Sequence, residues 1–176
     1  MTGVYIVCGS PGAGKTTYGK QLATRKGAVF LDIDVSTERL VRLALRQSGH
    51  DPDDRDSAHF KQIFRTPVYE QLFDIARDNL SVNSVVIAGP FTREIQDAHW
   101  PQTLGQHLGA VVEVHYVRCR PDIRRKRLLS RANPRDQAKL ADWENYLKYY
   151  GNEDPPRFDH VRIDSPDHVA VAEVEK

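Results

Sequence analysis

Five short apolar runs recur along the chain, and stretches with helical periodicity separate them. The runs are Gly3–Cys8, Ala28–Leu31, Ser84–Ala88, Val111–Val117 and His160–Ile163. Each is too short for a core helix, and most are rich in Val and Ile, the pattern of a strand buried on both faces. Alternation of such strands with helical segments predicts a three-layer α/β fold, a parallel sheet with helices on both faces. Between the second and third strands lies a long helical stretch with one acidic break, Ser48–Ser57 (SGHDPDDRDS). Beyond the break, Val68, Leu72, Ile75, Ala76 and Leu80 fall at helical spacing across Thr66–Leu80, a core-facing stripe with Pro67 in its first turn. After the fourth strand a cationic stretch, Arg118–Arg135, is expected to turn helical after Pro121 and to break at Asn133-Pro134. Asp167–Glu175 reads as a short closing helix.

Composition narrows the picture only a little. The 176 residues suffice for one domain with a good core, and the net charge of +1 sets up no global field toward nucleic acid or membrane. The two cysteines, Cys8 and Cys119, fall in or beside predicted strands, as small buried residues do, and form no zinc or disulfide pattern. The first strand starts at once, with no room for a signal peptide, and no apolar run approaches membrane-spanning length, so a soluble cytoplasmic protein is expected.

The chemistry begins between the first strand and the first helix. There the chain reads Gly9-Ser10-Pro11-Gly12-Ala13-Gly14-Lys15-Thr16-Thr17, which satisfies the Walker A pattern in full and in the strand–loop–helix context the motif needs. Gly12 and Gly14 permit backbone angles that turn amides inward to make an anion nest at a helix N-terminus. Lys15 places a positive charge on the β- and γ-phosphates, Thr16 offers a hydroxyl to Mg²⁺, and Pro11 stiffens the loop. An ordinary Gly-rich turn would not require all these residues at this spacing.

The second strand runs into Leu31-Asp32-Ile33-Asp34 (LDID). Two aspartates two residues apart along a strand end point the same way, beside the loop, where ligands bind in α/β sheets. One carboxylate near Mg²⁺ and one near an acceptor hydroxyl would suit phosphoryl transfer to an alcohol. Asp34 could instead cap the next helix, in competition with Ser36 and Thr37. The third strand ends in Ala88-Gly89 where many P-loop proteins carry the Walker B aspartate, which leaves Asp32 as its substitute. Thr92, Arg93 and Glu94 follow, either at the transfer site or as a solvated helix start. In the cationic stretch Arg124, Arg127 and Arg131 share a helical face, and Arg135 follows the break. They read as a mobile lid whose arginines close on the triphosphate, Arg131 and Arg135 near the break and Arg127 at its base. A solvated face or a nucleic-acid patch is the alternative.

These residues together resemble the nucleoside monophosphate kinase-like P-loop kinases, a broad group that includes shikimate kinase, gluconate kinase, chloramphenicol phosphotransferase and the kinase domain of polynucleotide kinase. The pieces FRTPVYEQLFDIARDNL, AGPFTRE and RDQAKLADWENY look like a bacterial and phage branch often described as AAA-type ATP-binding proteins. The resemblance covers nearly the whole chain. It implies one P-loop kinase domain over 1–176, a five-stranded parallel sheet in the order 2-3-1-4-5, an acceptor-binding helical region over about 36–80 and a lid over about 124–140. By position Asp32 looks like the metal-associated aspartate and Asp34 like the acceptor-contacting aspartate or base, with the two roles open to exchange. Phe64-Arg65 is similar to the pair that binds the acceptor carboxylate in shikimate kinase, but Val68 stands where that family has glutamate and no Gly-Gly-Gly follows the third strand. Shikimate is therefore not the expected acceptor. The adenine-contacting loop would fall at Ile163–His168.

The implied activity is ATP- and Mg²⁺-dependent transfer of phosphate to a hydroxyl of a small molecule or nucleoside, with Lys15, Asp34, Arg131 and Arg135 catalytic. Arg39, Arg65, Tyr69 and Arg93 are expected to line an acceptor pocket and to favour an anionic or strongly polar acceptor. Two alternatives remain. One is a nucleic-acid kinase that uses Arg124, Arg125 and Lys126 as phosphate contacts. The other is a nucleotide-binding regulatory ATPase without an acceptor.

Overall fold

The computed structural model describes residues 2–150 and 154–166; the expected closing helix and the end of the adenine loop lie outside the described residues. Five strands, β1 (Gly3–Cys8), β2 (Val29–Asp32), β3 (Val85–Ala88), β4 (Val111–Arg118) and β5 (Val161–Asp164), form one sheet in the order β2-β3-β1-β4-β5. Every pairing is parallel. This is the expected order. Strand ends differ from the sequence reading by one residue or so, most consequentially at β2, which runs on to Asp32.

The helices are α1 (Lys15–Lys26), α2 (Ile33–Gln47), α3 (Ala58–Ile63), α4 (Arg65–Asn79), α5 (Trp100–Leu108), α6 (Pro121–Arg131), α7 (Gln137–Ala141) and α8 (Trp143–Tyr150). The acidic break separates α2 from α3, whose first turn is capped by the Ser57 hydroxyl accepting from the Phe60 amide. Asn133 stops the cationic helix as expected, its side chain accepting from the Arg135 amide to cap a 3-10 turn over Pro134–Asp136.

Alternation along β1 divides the core in two. Val4, Ile6 and Cys8 face one side, where Leu72 and Ala76 of α4 and Leu104 and Leu108 of α5 cover them. Val7 faces the other, against Leu22 and Ala23 of α1 and Ile123 of α6. The predicted stripe on α4 holds at Leu72 and Ala76, both fully buried, while Val68 lines a cleft instead. Below that cleft Phe91 sits at φ 47, a left-handed conformation a bulky side chain rarely adopts. It is fully buried against Tyr69 and Trp100, with ring centroids 4.9 and 5.2 Å away, and its amide donates to the Tyr69 hydroxyl at 3.2 Å. This packing holds the Gly89-Pro90-Phe91 turn against its strain.

Candidate active site

The sheet register brings three strand ends to one edge. Asp32 pairs with Ala88, and Ala88 with Val7, so the loop after β1, the end of β2 and Gly89 leave the sheet side by side. Asp32 thus stands next to the position where a Walker B aspartate would end β3. The loop between β1 and α1 depends on its glycines. Gly9 has φ 139, and a Cβ there would lie 2.3 Å from the Val117 carbonyl oxygen. Gly14, at φ 102, is the N-cap of α1 and brings no side chain to the helix's first amides, leaving the helix terminus suited to an anion.

Lys15 folds back over the loop and donates to the Ser10 carbonyl at 3.0 Å. Burial pulls its ammonium from an ordinary 10.5 down to about 8, against the opposing charges of Asp34 and Asp32; the charge of Arg131 adds to the lowering. An ammonium weakened by desolvation and crowded by an arginine marks a place built for anionic charge.

Asp32 has two tasks. Its Oδ1 accepts from the amides of Asp34 and Val35, at 3.0 and 3.4 Å, and so caps α2. Its Oδ2 accepts from the Thr16 hydroxyl at 2.7 Å. The expected placement of both aspartates on a strand end is thereby corrected. The cap starts the helix at Ile33, and Asp34 lies in its first turn. The helix cap is Asp32, not Asp34, Ser36 or Thr37. Thr16 and Asp32 offer hard oxygen atoms side by side, which fits Mg²⁺ held mainly by phosphates and water. Among the described residues no group of three or more His, Cys, Asp or Glu could hold a metal.

A single cleft of about 420 Å³ joins these parts. Pro11, Gly12, Gly14, Lys15, Thr16 and Thr17 line its phosphate end, with Gly9, Ser10 and Ala13 buried behind them. Asp34, Thr37, Arg65 and Tyr69 line the other end. Arg131, at the end of α6, and Arg135, in the 3-10 turn after it, line the cleft as well. Arg127 donates to the Gly12 and Ala13 carbonyls at 3.2 Å and to the Ser165 hydroxyl at 2.9 Å. It ties the P-loop to the segment after β5. Arg131 makes a two-pronged contact with buried Asp136, at 2.5 and 2.7 Å. Arg135 bridges Asp34 at 2.8 Å and Glu38 at 3.1 Å.

Two expected pocket residues lie elsewhere. The cleft takes Asp34, Thr37, Glu38 and Val41 from α2, one helical face, and Arg39 is turned about 100° away from Glu38 into solvent. Arg93 is also exposed and off the cleft, whose wall takes Thr92. Arg65 reaches the cleft, but its Nη2 donates to both Glu94 oxygens, at 2.9 and 2.6 Å. Arg124 is fully buried, so it cannot meet the phosphates of a polymer. The sequence reading missed Glu38, Arg55, Asp56, Phe60 and Lys139 on the cleft wall. Glu38 and Lys139 each follow a predicted site residue, Asp34 and Arg135, by four positions, a spacing that could have found them. Lys139 donates to Asp56 at 2.7 Å, a second tie between the segment after α6 and the α2–α3 side of the cleft.

A family model described as an AAA domain matches residues 4–152. No curated protein matches the sequence. Solved structures do. A Chloroflexus aurantiacus protein described provisionally as a kinase aligns over 93% of this chain and 88% of its own, at 20% identity and TM-score 0.64. A sugar kinase from Janibacter aligns over 95% and 88%, at 16% identity and TM-score 0.60. A shikimate kinase from Acinetobacter baumannii, solved with shikimate, aligns over 96% and 86%, at 22% identity and TM-score 0.55. At these identities the likeness establishes the fold. Among the described residues no helix is long and apolar enough to cross a membrane. The chain therefore belongs to the AAA domain family and carries the fold of the P-loop kinases.

Proposed function

We propose that the protein transfers the γ-phosphoryl group of ATP to a hydroxyl of a small molecule, in a reaction that needs Mg²⁺. The carrying observation is that the P-loop, Asp34 and the lid arginines border one cleft that continues past the phosphate end into a polar compartment. A nucleotide switch has no use for such a compartment.

The loop amides and Lys15 bind the phosphates, and Lys15 becomes more basic as their charge arrives. Thr16 and Asp32 would hold Mg²⁺, which spreads the negative charge of the phosphate oxygens. Asp34 accepts the proton of the acceptor hydroxyl. The acceptor oxygen bonds to the γ-phosphorus as the bridging bond to ADP breaks. Arg135 releases Asp34 when the triphosphate offers it stronger charge, and with Arg131 it balances the charge on the moving phosphoryl group. The same exchange frees the base and completes the phosphate site.

The test is incubation with γ-labelled ATP and Mg²⁺, against nucleosides, sugars and aminoglycoside or phenicol antibiotics in one set and 5′-hydroxyl polynucleotides in another. Label on a small molecule supports the proposal. Label on the polymer, or only in free phosphate with every acceptor, overturns it.

A further inference from the structure

The acceptor half of the cleft is charge-balanced by its own residues. The sequence suggests an anionic or strongly polar acceptor from Tyr69 and three arginines, Arg39, Arg65 and Arg93. Arg39 and Arg93 are outside the cleft, and the one that remains is matched: Arg65 donates to both oxygens of Glu94, with the two side chains only 18% and 23% exposed. Glu94 is not on the cleft wall and stands behind Arg65. An anion brought to Arg65 would also meet the Glu94 carboxylate, and attraction and repulsion would largely cancel in this poorly solvated place. The other cations are treated alike. Arg55 contacts Glu38 at 3.1 Å, and Lys139 contacts Asp56 at 2.7 Å. With Lys61 also on the wall, and once Arg135 has turned to the phosphates, Arg55, Lys61, Arg65 and Lys139 are set against Asp34, Glu38 and Asp56 on the wall and Glu94 beside Arg65. What remains for an acceptor is hydrogen-bonding capacity without net charge, next to the apolar faces of Phe60 and Val68.

Resting on the kinase reading above, we propose that the acceptor is a neutral polyhydroxyl compound, and that Glu94 sets this preference by neutralising Arg65. Hydroxyls suit a wall of paired donors and acceptors, and C–H faces suit Phe60 and Val68. A carboxylated or phosphorylated analogue gains nothing from Arg65 and is repelled by Asp34. The tie from Lys139 to Asp56 joins the segment after α6 to the acceptor side, which favours a small enclosed molecule over a polymer.

The test uses matched pairs, a hexose and its aldonate, an alditol and its phosphate, a nucleoside and its 5′-carboxylate. For each, kcat/KM is measured, and binding to the full chain loaded with Mg²⁺ and a non-hydrolysable ATP analogue is measured by calorimetry. The native chain should favour the neutral member at least tenfold in binding, seen as KM rather than kcat. Glu94→Gln should shift that ratio at least tenfold toward the anion, and the double change Arg65→Gln with Glu94→Gln should restore it, which separates charge from damage to the fold. A native preference for anions, no binding by any neutral member, or a ratio that Glu94→Gln leaves in place overturns the proposal. If neutral compounds bind with the expected preference but ATP yields only free phosphate, the kinase reading fails while the charge assignment stands.

Discussion

Changing Asp34 to Asn removes a proton acceptor and keeps a side chain of the same shape. Asp34 lies in the first turn of α2 and its side chain is 55% exposed, so its contact with Arg135 is well solvated and screened. Such a pair contributes about 1 kcal/mol or less to folding. Arg135 keeps its 3.1 Å contact with Glu38, so the turn after α6 retains a tie to α2. The Thr16–Asp32 contact and the loop are untouched. The expected loss is therefore almost wholly in the chemical step, ~10²–10⁴-fold in kcat for loss of a general base, which corresponds to about 2.7–5.5 kcal/mol of barrier. A shift in melting temperature of no more than about 2–4 °C should accompany it. Rapid-quench measurement of labelled acceptor phosphate, beside calorimetric titration of ATP·Mg²⁺, separates the two effects. An Asp34→Asn protein with kcat within about threefold of the parent would refute the base assignment, because a group that takes the proton cannot be dispensable.

Nucleotide binding should weaken as pH rises. Lys15 titrates near 8 in the nucleotide-free protein, and bound phosphates raise it, so binding takes up a proton above pH 8; affinity should fall by up to about tenfold per unit there, and calorimetry in buffers of different ionisation enthalpy checks both signs, with a flat affinity to pH 9.5 as the contrary result. Gly9→Ala should abolish nucleotide binding or lower stability by about 2 kcal/mol or more, because its Cβ would sit 2.3 Å from the Val117 carbonyl oxygen; denaturant melts and a binding titration read it. Tyr69→Phe should cost about 1–3 kcal/mol by leaving the buried Phe91 amide without its acceptor, seen in urea melts, while a stability equal to the parent would show that Phe91 is held by packing alone.

The sheet and the loop were legible because both write locally in the chain. A parallel strand buried on both faces shows as an apolar run, and the loop needs its glycines and lysine at fixed offsets. The two aspartates were legible in identity but not in placement. Strand periodicity put them on one face, while the side chain of Asp32 took the amides of Asp34 and Val35 and ended the strand there. Arg39 was drawn into the pocket by its charge; helix phase, which Thr37, Glu38 and Val41 obey, turns it out. The pairing of Arg65 with Glu94 joins residues 29 apart, and Arg135 with Asp34 joins residues 101 apart. No local spacing encodes such contacts, which arise only when the sheet order sets the helices side by side. For that reason the pairing of the charges around the acceptor side was not legible in the sequence.

Whether the phosphate is handed on is read from the stoichiometry between ADP formed and phosphate found on an acceptor. With a saturating neutral polyol that serves as acceptor and ATP·Mg²⁺, one acceptor phosphate should form for each ADP, with little free phosphate. ADP and free phosphate produced in equal amounts, at a rate no hydroxyl compound changes, would contradict transfer.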